Sequence, residues 1–196
     1  VDPSDSRLEP FASSTSDQQS VSVLVGDIES IEASGYGNNI SFTNEDRQEN
    51  AFDGDIRTAW RSAVFRNSVG EFIVANLRKK VTTNHITLVQ PQVGAAFRNI
   101  TRVRIETDGK NPIDVDLTAA SDTEQGQTIN FGNRTFSQLK ITVLADSFGV
   151  LPSYAGIQGV GFAEIEIPGV SNAEYIRLPK IDTAKYVNLT DSDWTV

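Results

Sequence analysis

The 196-residue chain has no cysteine, no methionine, a single histidine and no apolar run near the ~20 residues that span a bilayer. Each absence excludes a class of chemistry. Without cysteine there are no disulfides, no thiolate metal sites and no cysteine nucleophile, so redox compartment leaves no mark on the sequence. With one histidine, His85, a zinc site would rest on carboxylates alone, which such sites rarely do. A serine triad lacks support too, because no G-x-S-x-G elbow is present. Positive charge is scarce: 17 Lys and Arg stand against 26 Asp and Glu, a formal net charge of -9. Phosphate recognition needs clustered cations, and the longest basic run is Arg78, Lys79, Lys80. Nucleic acid and anionic lipid are therefore excluded as main partners, and direct membrane insertion by this fragment is not expected. No secretory leader is evident and the chain does not begin with methionine, so it reads as a piece of a larger protein.

What is present describes a folded, strand-rich domain. Residues 1–20 are polar, Ser-rich and aperiodic, and read as a linker or tail. From Val21 onward, short β-branched runs alternate with Gly, Asn, Asp and Pro: "SVSVLVG", "EFIVANL" (71–77), "HITLVQ" (85–90), "ITRVRIET" (100–107), "PIDVDLT" (112–118), "QTINFG" (127–132), "QLKITVLA" (138–145) and "GVGFAEIEI" (159–167). In "ITRVRIET", Ile100, Arg102, Arg104 and Glu106 oppose Thr101, Val103, Ile105 and Thr107, the period of a strand with one wet face. No window carries a helical period. The expected class is all-β, an antiparallel sandwich or barrel over residues 21–170. Residues 171–196 are charged and mixed, and are expected to form a C-terminal extension or a linker to a following domain.

The densest stretch is "AFDGDIRTAW" (51–60). Gly54 between Asp53 and Asp55 permits a tight turn with positive φ. Such a turn is either solvated, with each Asp bonding its own backbone, or oxygen-rich enough to hold a hard cation. Calcium takes six to eight oxygens from carboxylates, carbonyls and hydroxyls. Asp53 and Thr58 offer side chains, and Asp55 either its carbonyl or its carboxylate. The spacing is not that of an EF-hand. Near the C-terminal end, "GFAEIEI" places Glu164 and Glu166 on one strand face, with Ala163, Ile165 and Ile167 on the other. These acids either face water or complete an oxygen cage with the earlier turn.

The combination of "AFDGDIRTAW", strands throughout and a terminal "GFAEIEI" resembles the discoidin, or coagulation-factor type C, family. That resemblance spans about residues 21–168. It implies a galactose-binding-like, discoidin-type antiparallel β-sandwich (jelly roll), the fold of many carbohydrate-binding modules. It also implies a structural Ca2+ held by Asp53, Asp55, Thr58 and Glu164, with Ala163 as a carbonyl donor, and Trp60 packed in the core. "FIVANLRKK" departs from the "V-D-L-G" of many relatives. More narrowly, "AFDGDIRTAWRS" followed by "GEFIVANL" is similar to modules within the cell-wall arabinofuranosyltransferases of mycobacteria and corynebacteria. Those parents are membrane glycosyltransferases with an extracytoplasmic, periplasmic-facing portion. In that setting the fragment would be noncatalytic and would recognise cell-wall arabinan or galactan beside the rest of the parent enzyme.

Sugars stack their C–H faces on aromatic rings while a few polar groups bond their hydroxyls. Loop residues of that kind are Tyr36, Arg61, Phe65, Arg66, Phe97, Arg98 and Tyr154, with Phe148 nearby in sequence. Each aromatic has an alternative role as a loop anchor, and Arg61 as a surface ion-pair partner. A structural scaffold without sugar affinity is the competing role for the domain. Hydrolysis by the Glu164–Glu166 pair is not expected, since such pairs recur in any acidic β protein.

Overall fold

The computed structural model describes residues 21–38, 40, 43–92, 98–147 and 158–177. The strands are β1 (Val21–Gly26), β2 (Ile28–Ala33), β3 (Trp60–Ser62), β4 (Phe72–Val89), β5 (Ile100–Thr107), β6 (Lys110–Asp116), β7 (Gln127–Asp146), β8 (Val160–Phe162), β9 (Glu164–Glu166) and β10 (Asn172–Arg177). Three short 3-10 turns, Asn44–Asp46, Gln48–Ala51 and Ala119–Asp122, are the helical elements among the described residues. The chain divides into two compact units, residues 24–174 and residues 1–23 with 175–196. Of the second, the described residues are 21–23 and 175–177, all strand.

The architecture is an antiparallel β-sandwich. Its large sheet runs β2-β4-β7-β5-β6, with β9 added on β4, while β3 pairs with β8 and β1 with β10. One contiguous core includes Ile73, Ile86, Val103, Ile105, Leu139 and Ile141 from the large sheet and Trp60, Val160 and Phe162 from the small one. Trp60 is 1% exposed, stacks on Phe162 at 6.3 Å between centroids, and donates its indole N–H to the Gly35 carbonyl at 2.9 Å. The buried indole thus has the partner that its polar atom needs. Gly161 lets the two strands meet, since a Cβ there would lie 1.8 Å from the Trp60 carbonyl.

Several expectations are refined. "EFIVANL" and "HITLVQ" are not separate strands but the two ends of β4, and "QTINFG" and "QLKITVLA" are likewise joined in β7. The basic residues 78–80 do not break β4. All three are exposed, so neither face has to bury charge there, and the β4–β7 pairing resumes after an irregularity between Asn76 and Val81. In β5, Val103 and Ile105 are buried, and Arg102 and Arg104 exposed, as their alternation requires. Ile100 breaks that pattern and is 1% exposed, because the register against β7 shifts between Ile100 and Val103. β2, "IESIEA", carries no clear strand signal because Glu29 and Glu32 interrupt its apolar residues. Residues 172–174 continue the unit as strand.

Candidate functional site

The segment read as one closing strand is two. β8 pairs with β3, the chain bends at Ala163, and β9 pairs with β4. Both acids lie on one face of β9, opposite Val89 and Thr87 of β4, but Glu164 is 7% exposed where the 53–58 turn covers it, whereas Glu166 is exposed. Ala163 is fully buried against Ala59 and Val89, and its N–H reaches the Val89 carbonyl at 2.8 Å.

The bend delivers Glu164 to the 53–58 turn. Gly54, at φ +79°, donates its N–H to Glu164 Oε2 at 3.0 Å. No atom crowds a Cβ at Gly54, so backbone sign rather than space demands glycine there. Asp53 Oδ1 accepts the Asp55 N–H at 2.8 Å, and Asp53 Oδ2 accepts the Thr58 hydroxyl at 2.8 Å. That hydroxyl also lies 2.9 Å from the Asp55 carbonyl. The Asp55 carboxylate points elsewhere and is clamped by Arg57 at 2.7 and 2.8 Å. Arg57 holds the Asp55 pKa down at about 2. Between the two oxygens that the sequence left open for Asp55, the carbonyl is the one at the turn's centre.

Among the described residues this corner is short of positive charge. Burial, opposed by the Gly54 N–H and reinforced by Asp53, Glu166 and Asp55, pushes Glu164 up to about 8. Burial also raises Asp53 and Glu49. The cation nearest in the electrostatics of Asp53 and Glu49 is Arg47, which forms a bidentate pair with Glu174. Among the described residues, no three His, Cys, Asp or Glu side chains converge closely enough to hold a metal by themselves. The oxygen set is instead mixed: the Asp53 and Glu164 carboxylates, the Thr58 hydroxyl and the Asp55 carbonyl. All are hard donors, and among the described residues no opposite charge pairs with the buried carboxylate, so these residues fit a calcium ion.

The residues read for sugar contact separate into groups. Tyr36 is 46% exposed and Phe65 52% exposed. Their loops meet around buried Glu71, whose Oε2 accepts the Ser34 and Ser62 hydroxyls, each at 2.6 Å, and whose Oε1 pairs with Arg66 at 2.5 Å. The Gly37 N–H to Arg61 carbonyl bond, 2.8 Å, ties the Tyr36 loop to β3. Arg61 itself pairs with buried Asp46 at 2.9 Å. Arg66 keeps more than half of its side chain in solvent. Arg98 is a correction: it is a core residue, not a surface one. Its guanidinium bonds Asp146, the Gln158 carbonyl and the Ala63 carbonyl, and a side chain with no exposed surface cannot meet a glycan. Phe97, Phe148 and Tyr154 lie outside the described residues. Sequence reasoning missed Glu71, whose only signal was a lone acid before an apolar strand, and Asp146, which had none.

Taken with its topology, the unit has the galactose-binding-like, discoidin-type β-sandwich fold. Among solved structures, it is similar to a segment of a mutant of arabinofuranosyltransferase AftD from Mycobacteria, at 20% identity, TM-score 0.58, over 82% of this chain and 13% of that one. Another AftD structure from Mycobacteria matches at 18% identity and TM-score 0.56, over 83% of this chain and 13% of that one. The module CBM32-3 from a family 31 glycoside hydrolase of Clostridium perfringens matches at 23% identity and TM-score 0.50, over 71% of this chain and 88% of that one. At these identities the likeness establishes the fold. The chain spans about 13% of the length of the AftD chains it matches. No family model and no curated protein matches the sequence.

Proposed function

We propose that this chain is a noncatalytic carbohydrate-binding module, stabilised by calcium, that works as part of a larger extracytoplasmic glycosyltransferase resembling the arabinofuranosyltransferases. The observation that carries this reading is the pair of half-exposed rings, Tyr36 and Phe65, on two loops joined through Glu71. Exposed rings on pre-ordered loops offer stacking area at little entropic cost. Arg66 adds a forked donor for sugar hydroxyls beside Phe65. A fold shared with CBM32-3 and with a segment of AftD supports the same reading.

Calcium, when bound, would neutralise the Glu164 and Asp53 carboxylates and fix the turn before β3. The residues to hold it are Asp53, Asp55 through its carbonyl, Thr58 and Glu164, with Ala163 adjacent at the bend. The ion would have no part in sugar chemistry. The arabinan or galactan of a cell wall is the expected ligand, and the remainder of the parent enzyme the expected covalent neighbour.

A second reading, a scaffold module without sugar affinity, draws on the arginines: Arg61 and Arg98 are committed to Asp46 and Asp146 inside the domain. Titration with arabinan and galactan oligosaccharides separates the two. Saturable binding that is lost in Phe65→Ala supports the module, and a flat response in a calcium-loaded, folded sample supports the scaffold.

A further inference from the structure

β3 begins two residues after Thr58, and every residue of that strand holds one of the ring-bearing loops. The Trp60 indole N–H bonds the Gly35 carbonyl at 2.9 Å, and the Arg61 carbonyl accepts the Gly37 N–H at 2.8 Å. Tyr36 therefore sits between two anchors on β3. The Ser62 hydroxyl bonds Glu71 Oε2 at 2.6 Å, and the same carboxylate pairs with Arg66, next to Phe65. Directly after β3, Ala63 and Phe65 stand at φ +60° and +64°. Neither residue favours the left-handed region, so this loop keeps its shape only while its ends are held.

The partner strand leads back to the same turn. β8 meets β3 in three residue pairs, Trp60–Phe162, Arg61–Gly161 and Ser62–Val160, and Glu164 follows two residues after Phe162. One end of this small sheet thus runs into Thr58 on one strand and Glu164 on the other. The Gly54 N–H, 3.0 Å from Glu164 Oε2, joins them. Two strands with three pairs are too short to fix their own ends, so the grip at the turn matters for what the sheet carries.

We propose that β3 couples the two sites, so that the 53–58 turn sets the order of the Tyr36 and Phe65 loops. This rests on the calcium and sugar readings above and adds the link between them. A turn closed by its cation pre-orders the loops, and a sugar meeting ordered loops loses less conformational entropy. Linkage makes the effect reciprocal: calcium and sugar tighten each other by the same factor. Trp60 and Ser62 are positioning residues, since they act through the loops they hold.

The test measures calcium affinity by calorimetry with and without a saturating galactan or arabinan oligosaccharide, and oligosaccharide affinity with and without calcium. Both should shift by one common factor of about fivefold or more. Calcium alone should slow exchange of the Gly37 amide by a similar factor. The Asp108 amide, bonded to the Gln138 carbonyl at 2.9 Å on the β5–β6 hairpin, should change by less than about twofold, as for a local opening uncoupled from the turn. Ser62→Ala and Trp60→Phe should bring the common factor towards one, with cooperative melting in chelator showing that each folds. Calcium binding that changes neither sugar affinity nor Gly37 exchange overturns the coupling and leaves both site readings in place. A common factor that survives in both variants overturns the route through β3. Gly37 slowed by calcium in a chain that binds neither oligosaccharide supports the link from turn to loops and removes the sugar reading. Absence of calcium binding overturns the coupling together with the ion.

Discussion

Gly54 and Glu164 are 110 positions apart in sequence, yet the glycine N–H rests 3.0 Å from the glutamate Oε2. That contact places an opening turn against a closing strand and buries a carboxylate with no cation paired to it among the described residues. It is the relationship from which the calcium proposal grows.

An ion bound only by the folded state stabilises it by RT ln(1 + [L]/Kd), about 2.7 kcal/mol at a hundredfold excess over Kd. For a domain of this size that corresponds to a rise in Tm of about 5–10 °C. Melting the wild-type chain in calcium and then in chelator should show this difference. Asp53→Ala should melt at the lower temperature in both, because its site is already broken. Identical wild-type curves with and without chelator would count against the ion.

Glu71 gives a pH-dependent prediction. Burial works to raise its pKa, but the Ser34 and Ser62 hydroxyls and Arg66 override that, and the net shift is downward. The folded state then binds the proton less readily than the unfolded chain. Stability from this group is present above the ordinary carboxyl value near 4.5 and is lost as pH falls through the lower folded value. Glu71→Gln should cost about 1–2 kcal/mol at pH 7. In urea titrations that cost should shrink towards zero in acid below the folded value. A penalty independent of pH would mean that the charge is not what holds the two loops.

Tyr36 and Phe65 are predicted to dominate sugar affinity at the loop end. Replacing either with alanine should weaken glycan binding by about 1–3 kcal/mol while leaving Tm within a degree or two, since both rings are half exposed. Calorimetry on the two variants checks this. Undiminished affinity in both would move the site away from these loops.

Arg98 is predicted to behave as a structural residue. Removing one partner of a buried ion pair costs about 3–5 kcal/mol, because the other charge is stranded. Arg98→Ala should remove the guanidinium that pairs with Asp146 and release the Ala63 and Gln158 carbonyls, lowering stability by that order in a urea melt. If the variant melts like wild type but loses glycan binding, Arg98 acts at the surface after all.

The parts of the fold legible in sequence are those governed by local alternation. β5 has the bounds and the Val103–Ile105 buried face that its residues announce. The turn was legible because Gly54 and its flanking aspartates have few other uses, and Trp60 is where the resemblance put it. What could not be read depends on partners distant in the chain. The 78–80 run looks like a break, and only its exposure on β4 explains why it is not. Glu164 and Glu166 look equivalent, and only the 53–58 turn, 110 positions from Glu164 at Gly54, makes one buried and leaves the other wet. Arg98 looks like a loop arginine because its partner, Asp146, lies 48 positions away.

The most direct test of the whole account is calorimetric titration of calcium into chelator-stripped chain. We predict saturable binding at a single site in the wild type, lost in both Asp53→Ala and Glu164→Gln with the fold retained. No heat and no change in Tm on adding calcium to the wild type would contradict it.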